Sequence, residues 1–364
     1  MALDVVARFR DPELARRVVA KLAELAPEEP VRFCHVCGTH EWTISHYGIR
    51  SLLPEGVEVV AGPGCPVCIV PAREIDEAVK LALDGIVVAT FGDMFRAPGT
   101  RMSLHQARAE GADVRVVYSV SDAVRMAREE PGRDFVFFAI GFETTAPSTA
   151  VEVLRRPPEN LSFLVAHRLI PPAMEALVQM EDLAIRGFIA PGHVSTIIGA
   201  GAYKAFPKRY HMPVVVAGFE PLDVLIAIYM LLRQLKERVA RLENEYTRAV
   251  RWEGNVRARE FMSRAFDVVD GAWRGLGVIG SSAFELKGHL KDHDARERYG
   301  VEVRGARDIP PGCRCHEIMV GRIYPTDCPL FMRACRPDKP VGPCMVSIEG
   351  TCRIWALQGG WEKL

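Results

Sequence analysis

Short, continuous apolar runs set the architecture of this chain. They occupy residues 57–61, 85–90, 114–118, 135–140, 161–165, 187–190 and 213–217, and most lead into a glycine or proline turn. An eighth run, at 31–36, precedes the first cysteine motif. Runs of this kind, rich in β-branched residues and not alternating, suit parallel strands buried on both faces. Helical patterns fall between them, near 11–26, 72–83, 121–130, 146–155, 172–184 and 194–204. Ser121 reads as a hydroxyl cap and Pro71 as a first-turn proline. The expected class is α/β, with two similar parallel-sheet units at 31–118 and 119–218 behind an N-terminal helical segment, 1–30. A faint echo between residues 139–145 and 216–221 supports the pairing. In such folds ligands bind beyond the carboxyl ends of the strands, where the unusual motifs of this chain cluster.

From Pro221 to about residue 251 the period changes. Leu222, Leu225, Ile226, Tyr229, Leu232, Leu235, Val239, Leu242 and Tyr246 recur every three or four residues, which predicts one long amphipathic helix within a connecting region, 219–270. It is expected to brace the α/β units against the tail. Beyond Gly271 glycine, proline and cysteine accumulate and periodicity fades. The segment 271–364 has too little apolar sequence for a core of its own, so a metal is expected to supply the missing stability.

Lys plus Arg and Asp plus Glu both number 46. No net field draws the chain to nucleic acid or to an anionic membrane. The opening residues carry acids early and lack an apolar core, so no signal peptide is expected. The longest uncharged apolar run, 135–142, is too short to span a bilayer. The expected location is cytoplasmic. In a reducing compartment, ten cysteines point to metal binding or thiol chemistry ahead of structural disulfides.

Four of those cysteines, Cys328, Cys335, Cys344 and Cys352, stand at gaps of six, eight and seven residues with proline and glycine interleaved. Soft thiolates in this number suit an iron–sulfur cluster or zinc, and the spacing lacks the paired knuckles of a zinc ribbon. Buried, unligated thiols are the remaining alternative. Cys313 and Cys315 read as a secondary pair. Near the front, Gly62-Pro-Gly-Cys65-Pro-Val-Cys68 follows a strand and precedes a helix, a placing that favours thiolates and a reversible disulfide. A zinc site shared with Cys34 and Cys37 is the alternative. Cys37-Gly-Thr-His40-Glu41 sets a thiol, an imidazole and a carboxylate within five residues, so Cys37 is a candidate metal ligand or nucleophile and His40 its proton or metal partner. Glu143, His193 and His167 are candidates for a polar site between the two units. Thr144 and Thr145 suit either that site or a helix cap. Asp93 and Arg96 are expected to pair. No phosphate loop, GxGxxG fingerprint, HExxH or GxSxG motif occurs, which disfavours nucleotide hydrolysis and common acyl chemistry.

Together these blocks resemble the hydrogenase maturation protein family HypD: CGTHE at 37–41, GPGCPVC at 62–68, FGDMFRAPG at 91–99, GFETTAP at 141–147, PGHVSTIIG at 191–199, GFEPLD at 218–223 and CMVSIEGTC at 344–352. The resemblance implies a cytoplasmic, redox-active scaffold for building the Fe(CN)2CO group of [NiFe] hydrogenases. It implies one [4Fe-4S] cluster, a complex with the small chaperone HypC, and cyanide delivered by HypE as a thiocyanate. Carried onto this chain, Cys37 would hold the iron, together with a cysteine of HypC. Cys65 and Cys68 would be the dithiol that relays electrons, and Cys328, Cys335, Cys344 and Cys352 would hold the cluster. His40, Asp93, Glu143, Thr144 and His193 would line the central cleft. Trp42 stands where the family pattern has a small or polar residue, which bears on access to Cys37. Two other readings stay open on the residues alone: a cluster-dependent thiol–disulfide oxidoreductase working through Cys65 and Cys68, and a zinc-stabilised scaffold without catalysis.

Overall fold

The computed structural model describes residues 7–359. The first four and the last four apolar runs of the chain do not fall into two consecutive units. β1 (Val31–His35) and β2 (Val57–Ala61) join β7 (Ile185–Pro191), β8 (Val214–Ala217) and β9 (Leu242–Asn244) in a five-stranded parallel sheet, order β2-β1-β7-β8-β9. β3 (Val87–Thr90), β4 (Val114–Val116), β5 (Phe135–Gly141) and β6 (Leu161–His167) form a four-stranded parallel sheet, order β4-β3-β5-β6. The α/β class therefore stands, and the boundary expected at 118 is corrected. The second sheet is an insertion between β2 and β7. The physical reason is that β1 takes β7 along its free edge, and every strand of this kind is equally apolar, so pairing is not encoded in any one run. The two echo segments lie at the carboxyl ends of β5 and β8, one in each sheet.

Each sheet is covered on both faces, as its continuous apolar strands require. One face of the larger sheet, with Phe33, Val59, Ile189 and Val215, packs on the helices Pro12–Ala23 and Pro221–Lys236. The outer face of the smaller sheet, with Phe135, Phe137 and Phe163, packs on the helices Val120–Glu129, Ala146–Leu154 and Val256–Ala265. The inner faces, with Cys34 and Phe188 on one sheet and Val136, Phe138 and Leu164 on the other, share one continuous core that also takes in the cysteine tail.

Several helices fall where the pattern places them, that at Ala72–Leu83 on both bounds. The cap of Val120–Glu129 is Ser119, not Ser121: the Ser119 hydroxyl and the Asp122 carboxylate bond each other's backbone N–H. The long helix predicted to residue 251 stops at Lys236. Arg238 takes a left-handed conformation, φ 55°, and Leu242 continues as β9 on the free edge of β8. The helix packs on the larger sheet and on Pro12–Ala23, so it does not brace the tail. A feature absent from the sequence reading is an antiparallel hairpin, β10 (Phe266–Trp273) and β11 (Gly277–Leu286), which bridges the sheets and the tail. Its strands interleave Asp, Gly and Ser, which hid their alternation. After it come the short helices Cys315–Ile318 and Pro343–Val346 and the closing helix Thr351–Gln358.

Candidate functional site

Parallel sheets leave a crevice where neighbouring strands send their connections to opposite sides. In the larger sheet that point lies between β1 and β7, and in the smaller between β3 and β5. The two crevices face each other. A cavity of about 370 Å3 lies between them, lined by Cys37 beyond β1, Gly64 and Pro66 beyond β2, Phe142, Thr144 and Thr145 beyond β5, and His193 beyond β7. Glu349, from the tail, closes it.

Cys37 is the N-cap of the helix Gly38–His46 and is still extended, φ −156°. Burial and the Glu349 carboxylate push its thiol up to about 11; the N–H groups of Thr39 and His40 and the Thr39 hydroxyl act in the other direction. The protein alone therefore keeps Cys37 protonated. A cation bound at the sulfur would displace the proton and turn the opposing carboxylate into an asset.

The loop with Cys65 and Cys68 lies against Cys37. A Cβ on Gly64 would stand 2.2 Å from the Cys37 nitrogen, so only glycine lets the two motifs meet. The sulfurs of Cys65 and Cys68 are at disulfide distance, 2.20 Å, and both are buried, at 6 % and 0 % exposure. The Cys68 sulfur lies 3.9 Å from the carbonyl oxygen of Pro343, the neighbour of Cys344. Cys37, the 65/68 pair and the tail thus adjoin in series.

All six tail cysteines are buried. The N–H of Cys352 donates to the Cys344 sulfur at 3.2 Å and that of Val341 to the Cys335 sulfur at 3.3 Å. Cys313 and Cys315, expected to be a secondary pair, are inside the group. Cys315 donates a hydrogen bond that holds the Cys313 thiol below its ordinary value and its own above it. Cys313 also acts electrostatically on Cys335 and Cys352, and Cys315 on Cys352. Gly342 presses on the Cys313 sulfur, 2.7 Å from where a Cβ would sit. Among the described residues no three Cys, His, Asp or Glu side chains converge as ligands of one metal ion. The donor set, soft sulfurs bonded by backbone N–H groups, fits an iron–sulfur cluster.

One buried carboxylate locks these parts together. Glu41 accepts from His35 Nε2 at 2.7 Å, Ser45 Oγ at 2.8 Å, both terminal nitrogens of Arg50 at 2.9 and 2.8 Å, and Trp355 Nε1 at 2.7 Å. It thereby ties the helix after Cys37 to the helix after Gly350, which carries Cys352. Asp93 acts similarly from the end of β3: Oδ2 accepts from Ser347 Oγ at 3.1 Å and Ile348 N at 2.9 Å, and so fixes the segment that presents Glu349.

Comparison with known proteins bears on the same elements. The HypD family model, described as "Hydrogenase formation hypA family", matches residues 13–359. The chain belongs to the HypD family. A putative hydrogenase expression/formation protein of Methanocaldococcus jannaschii is 47% identical over 352 residues, 95% of this chain and 98% of the relative. Hydrogenase maturation factors HypD of Azotobacter vinelandii and Cupriavidus necator are 44% and 43% identical, covering 97% and 99% of this chain and 96% and 98% of their own lengths. The chain is a hydrogenase maturation factor of this family. No helix among its described residues is long and apolar enough to cross a membrane.

In this HypD-family chain Cys37, Thr144 and His193 line the cleft, and Cys65 and Cys68 flank Pro66 in its wall. Other candidates lie elsewhere. His40 does not serve Cys37: its Nε2 donates to the Gly218 carbonyl at 2.8 Å, and burial pushes the ring down to about 3, hence neutral. Its ring packs on Phe219, which stacks in turn on His193, centroids 3.9 Å apart. Glu143 faces an adjoining cavity of about 850 Å3, accepts from Ile170 N at 3.1 Å, and is pushed by burial up to about 8. His167 bonds Thr149 Oγ1 at 3.1 Å and packs on Phe266, away from His193. Thr145 occupies the cap position of Ala146–Leu154, but its hydroxyl donates back to Ile140 O at 3.0 Å. Asp93 bonds the tail and forms no ion pair with Arg96. Trp42 stacks on His46, centroids 4.4 Å apart, on the outer side of its helix. The sequence reading missed Glu349, Phe219 and Trp355, and left Cys313 and Cys315 aside. Glu349 and Phe219 lie inside motif blocks, which was the available signal.

Proposed function

We propose that the chain is the redox scaffold on which the Fe(CN)2CO group of a [NiFe] hydrogenase is assembled, with a HypC-type chaperone as its complex partner and a HypE-type protein as cyanide donor. The observation that supports this reading is a chain of contacts: Cys37 lines the cleft, the 65/68 loop packs on it through Gly64, and Cys68 reaches the Pro343 carbonyl beside Cys344. Cys37 holds the incoming iron, which is cargo; cyanide-ligated iron is soft and prefers thiolate. Four of the six tail thiolates hold a [4Fe-4S] cluster. Cys328, Cys335, Cys344 and Cys352 are the set expected from spacing, and Cys313 is a rival for a place among them. When bound, the cluster supplies electrons one at a time.

The 65/68 pair matches the two-electron step. As a dithiol it gives two electrons and two protons to a donor thiocyanate, R–SCN. The S–CN bond breaks, the donor leaves as R–SH, cyanide leaves with the second proton until iron takes it, and the 65/68 disulfide forms. Both sulfurs are buried, so the donor thiocyanate must reach them through the cleft that Cys37 and Pro66 line. The deciding experiment is Cys37→Ala in the complex with the HypC-type partner. The iron–cyanide and iron–carbonyl infrared bands are expected to vanish while the brown cluster absorption stays. Bands that persist would refute the assignment.

A further inference from the structure

The turn of the β10–β11 hairpin carries a charge that the established activity leaves unexplained. Arg274 is among the largest fully buried side chains, at 0 % exposure, and no carboxylate bonds it. Its Nη2 donates to the Pro98 carbonyl at 2.7 Å, whereas Nε and Nη1 are buried without a partner. Two unsatisfied donors on a buried cation are costly unless an anion meets them. The cysteine tail packs on this turn: a Cβ on Gly275 would stand 2.5 Å from the Cβ of His316, the neighbour of Cys315. Cys315 acts most strongly on the guanidinium, followed by Asp308, Asp76 and Cys313. Asp308 is occupied by the N–H groups of Ala72 and Gly275 and Asp76 by that of Thr100. The backbone fixes the position. Arg274 N donates to the carbonyl of Ile69, directly after Cys68, at 2.9 Å. One residue thus touches the dithiol loop and the 91–99 loop while facing the tail cysteines.

We propose that Arg274 is the built-in counter-charge of the tail cysteine group and sets the reduction potential of the cluster those thiolates hold. It is a positioning residue: it touches the protein's own loops and acts on the electron acceptor through its field. Four thiolates around a [4Fe-4S] core are net anionic, and one-electron reduction adds charge without making or breaking a bond. A fixed cation in a low-dielectric site favours the reduced, more negative state. Arginine suits the role because it stays charged when buried. The proposal rests on the cluster reading above.

The test is a potentiometric titration, followed by visible absorption and by electron paramagnetic resonance, on anaerobically purified, iron-loaded wild type, Arg274→Gln and Arg274→Lys with dithionite as reductant. Arg274→Gln is expected to lower the one-electron reduction equilibrium at least tenfold, about 59 mV. Arg274→Lys, which keeps the charge, is expected to stay within twofold of wild type. An iron-loaded Arg274→Gln at the wild-type potential would overturn the proposal, as would Arg274→Lys shifting tenfold or more. Should Arg274→Gln not accumulate as folded protein, Arg274→Met, which also removes the charge, is read by the same criterion. Wild type free of iron and sulfide would instead remove the cluster reading itself, so the two failures are distinct.

Discussion

Glu41→Gln is the sharpest probe of how the site is held together. Glu41 is fully buried, and five donor groups converge on its two oxygens, two of them from the Arg50 guanidinium. Glutamine keeps the shape but sets an NH2 group against donors and leaves the guanidinium without its counter-ion. Breaking a buried pair in this way costs about 3–5 kcal/mol. Urea unfolding followed by tryptophan fluorescence should show that loss as a lower midpoint at unchanged slope. Trp355→Phe, which removes one donor to a charged acceptor, should cost about 1.5–3 kcal/mol. The pH dependence has a definite sign. Burial alone would raise the Glu41 carboxyl, but the charges and hydrogen bonds of Arg50 and His35 outweigh it and hold the group well below 4.5. Its stabilisation is therefore complete above pH 4.5 and is lost as pH falls below it. The gap between wild type and Glu41→Gln should narrow on acidification. A loss under about 1 kcal/mol at pH 7, where a buried pair predicts several times that, would refute the reasoning. So would a gap that stays constant down to pH 3.

Glu143 behaves in the opposite sense. Burial raises it to about 8 from 4.5, so the folded state keeps a proton that the unfolded chain releases. Its contribution is complete below pH 4.5 and declines as pH rises through 8, by at most about 1.4 kcal/mol per unit. Glu143→Gln should therefore be more stable than wild type at pH 8.5 in the same unfolding assay, and a less stable variant would count against the raised value. Cys313→Ser should lower bound iron by about half or more, counted per chain after anaerobic purification, because Cys313 lies within the tail group and structural metal is folding free energy. Cys34→Ala, in β1 and outside that group, should leave the count unchanged; full iron in Cys313→Ser would return Cys313 to a bystander.

Strands β1 to β8 and most helices are legible because burial on both faces writes itself into continuous apolar runs, and because Ser, Asp and Pro mark helix starts; β9 to β11 lack such runs. Which strand pairs with which was not legible. The partner of β1 is β7, far along the chain, and Cys34↔Phe188 pairing leaves no trace in either run. The helix end at Lys236 also went unread: no glycine or proline marks it, and the stop is imposed by the free edge of β8, a tertiary cause. At the site, Cys37 and the 65/68 pair were found because sulfur at glycine-rich strand ends is conspicuous. His40 looked like a partner for Cys37 because sequence spacing does not tell which way an imidazole turns; the Gly218 carbonyl decides that. Glu349 went unnoticed because its role depends on Asp93, more than 250 residues earlier, holding the segment in place.

The nesting of one sheet inside the other has a consequence for biogenesis. β3 to β6 are contiguous and emerge from the ribosome as a set, whereas β1 and β2 wait for β7. Contacts so distant in sequence form late. During that interval the first thiols of the nascent chain have neither the wall that contains His193 nor the closing segment with Glu349. The cleft around Cys37 is thus incomplete until synthesis is nearly finished, which makes the half-made protein the stage at which its front thiols are most open to solvent.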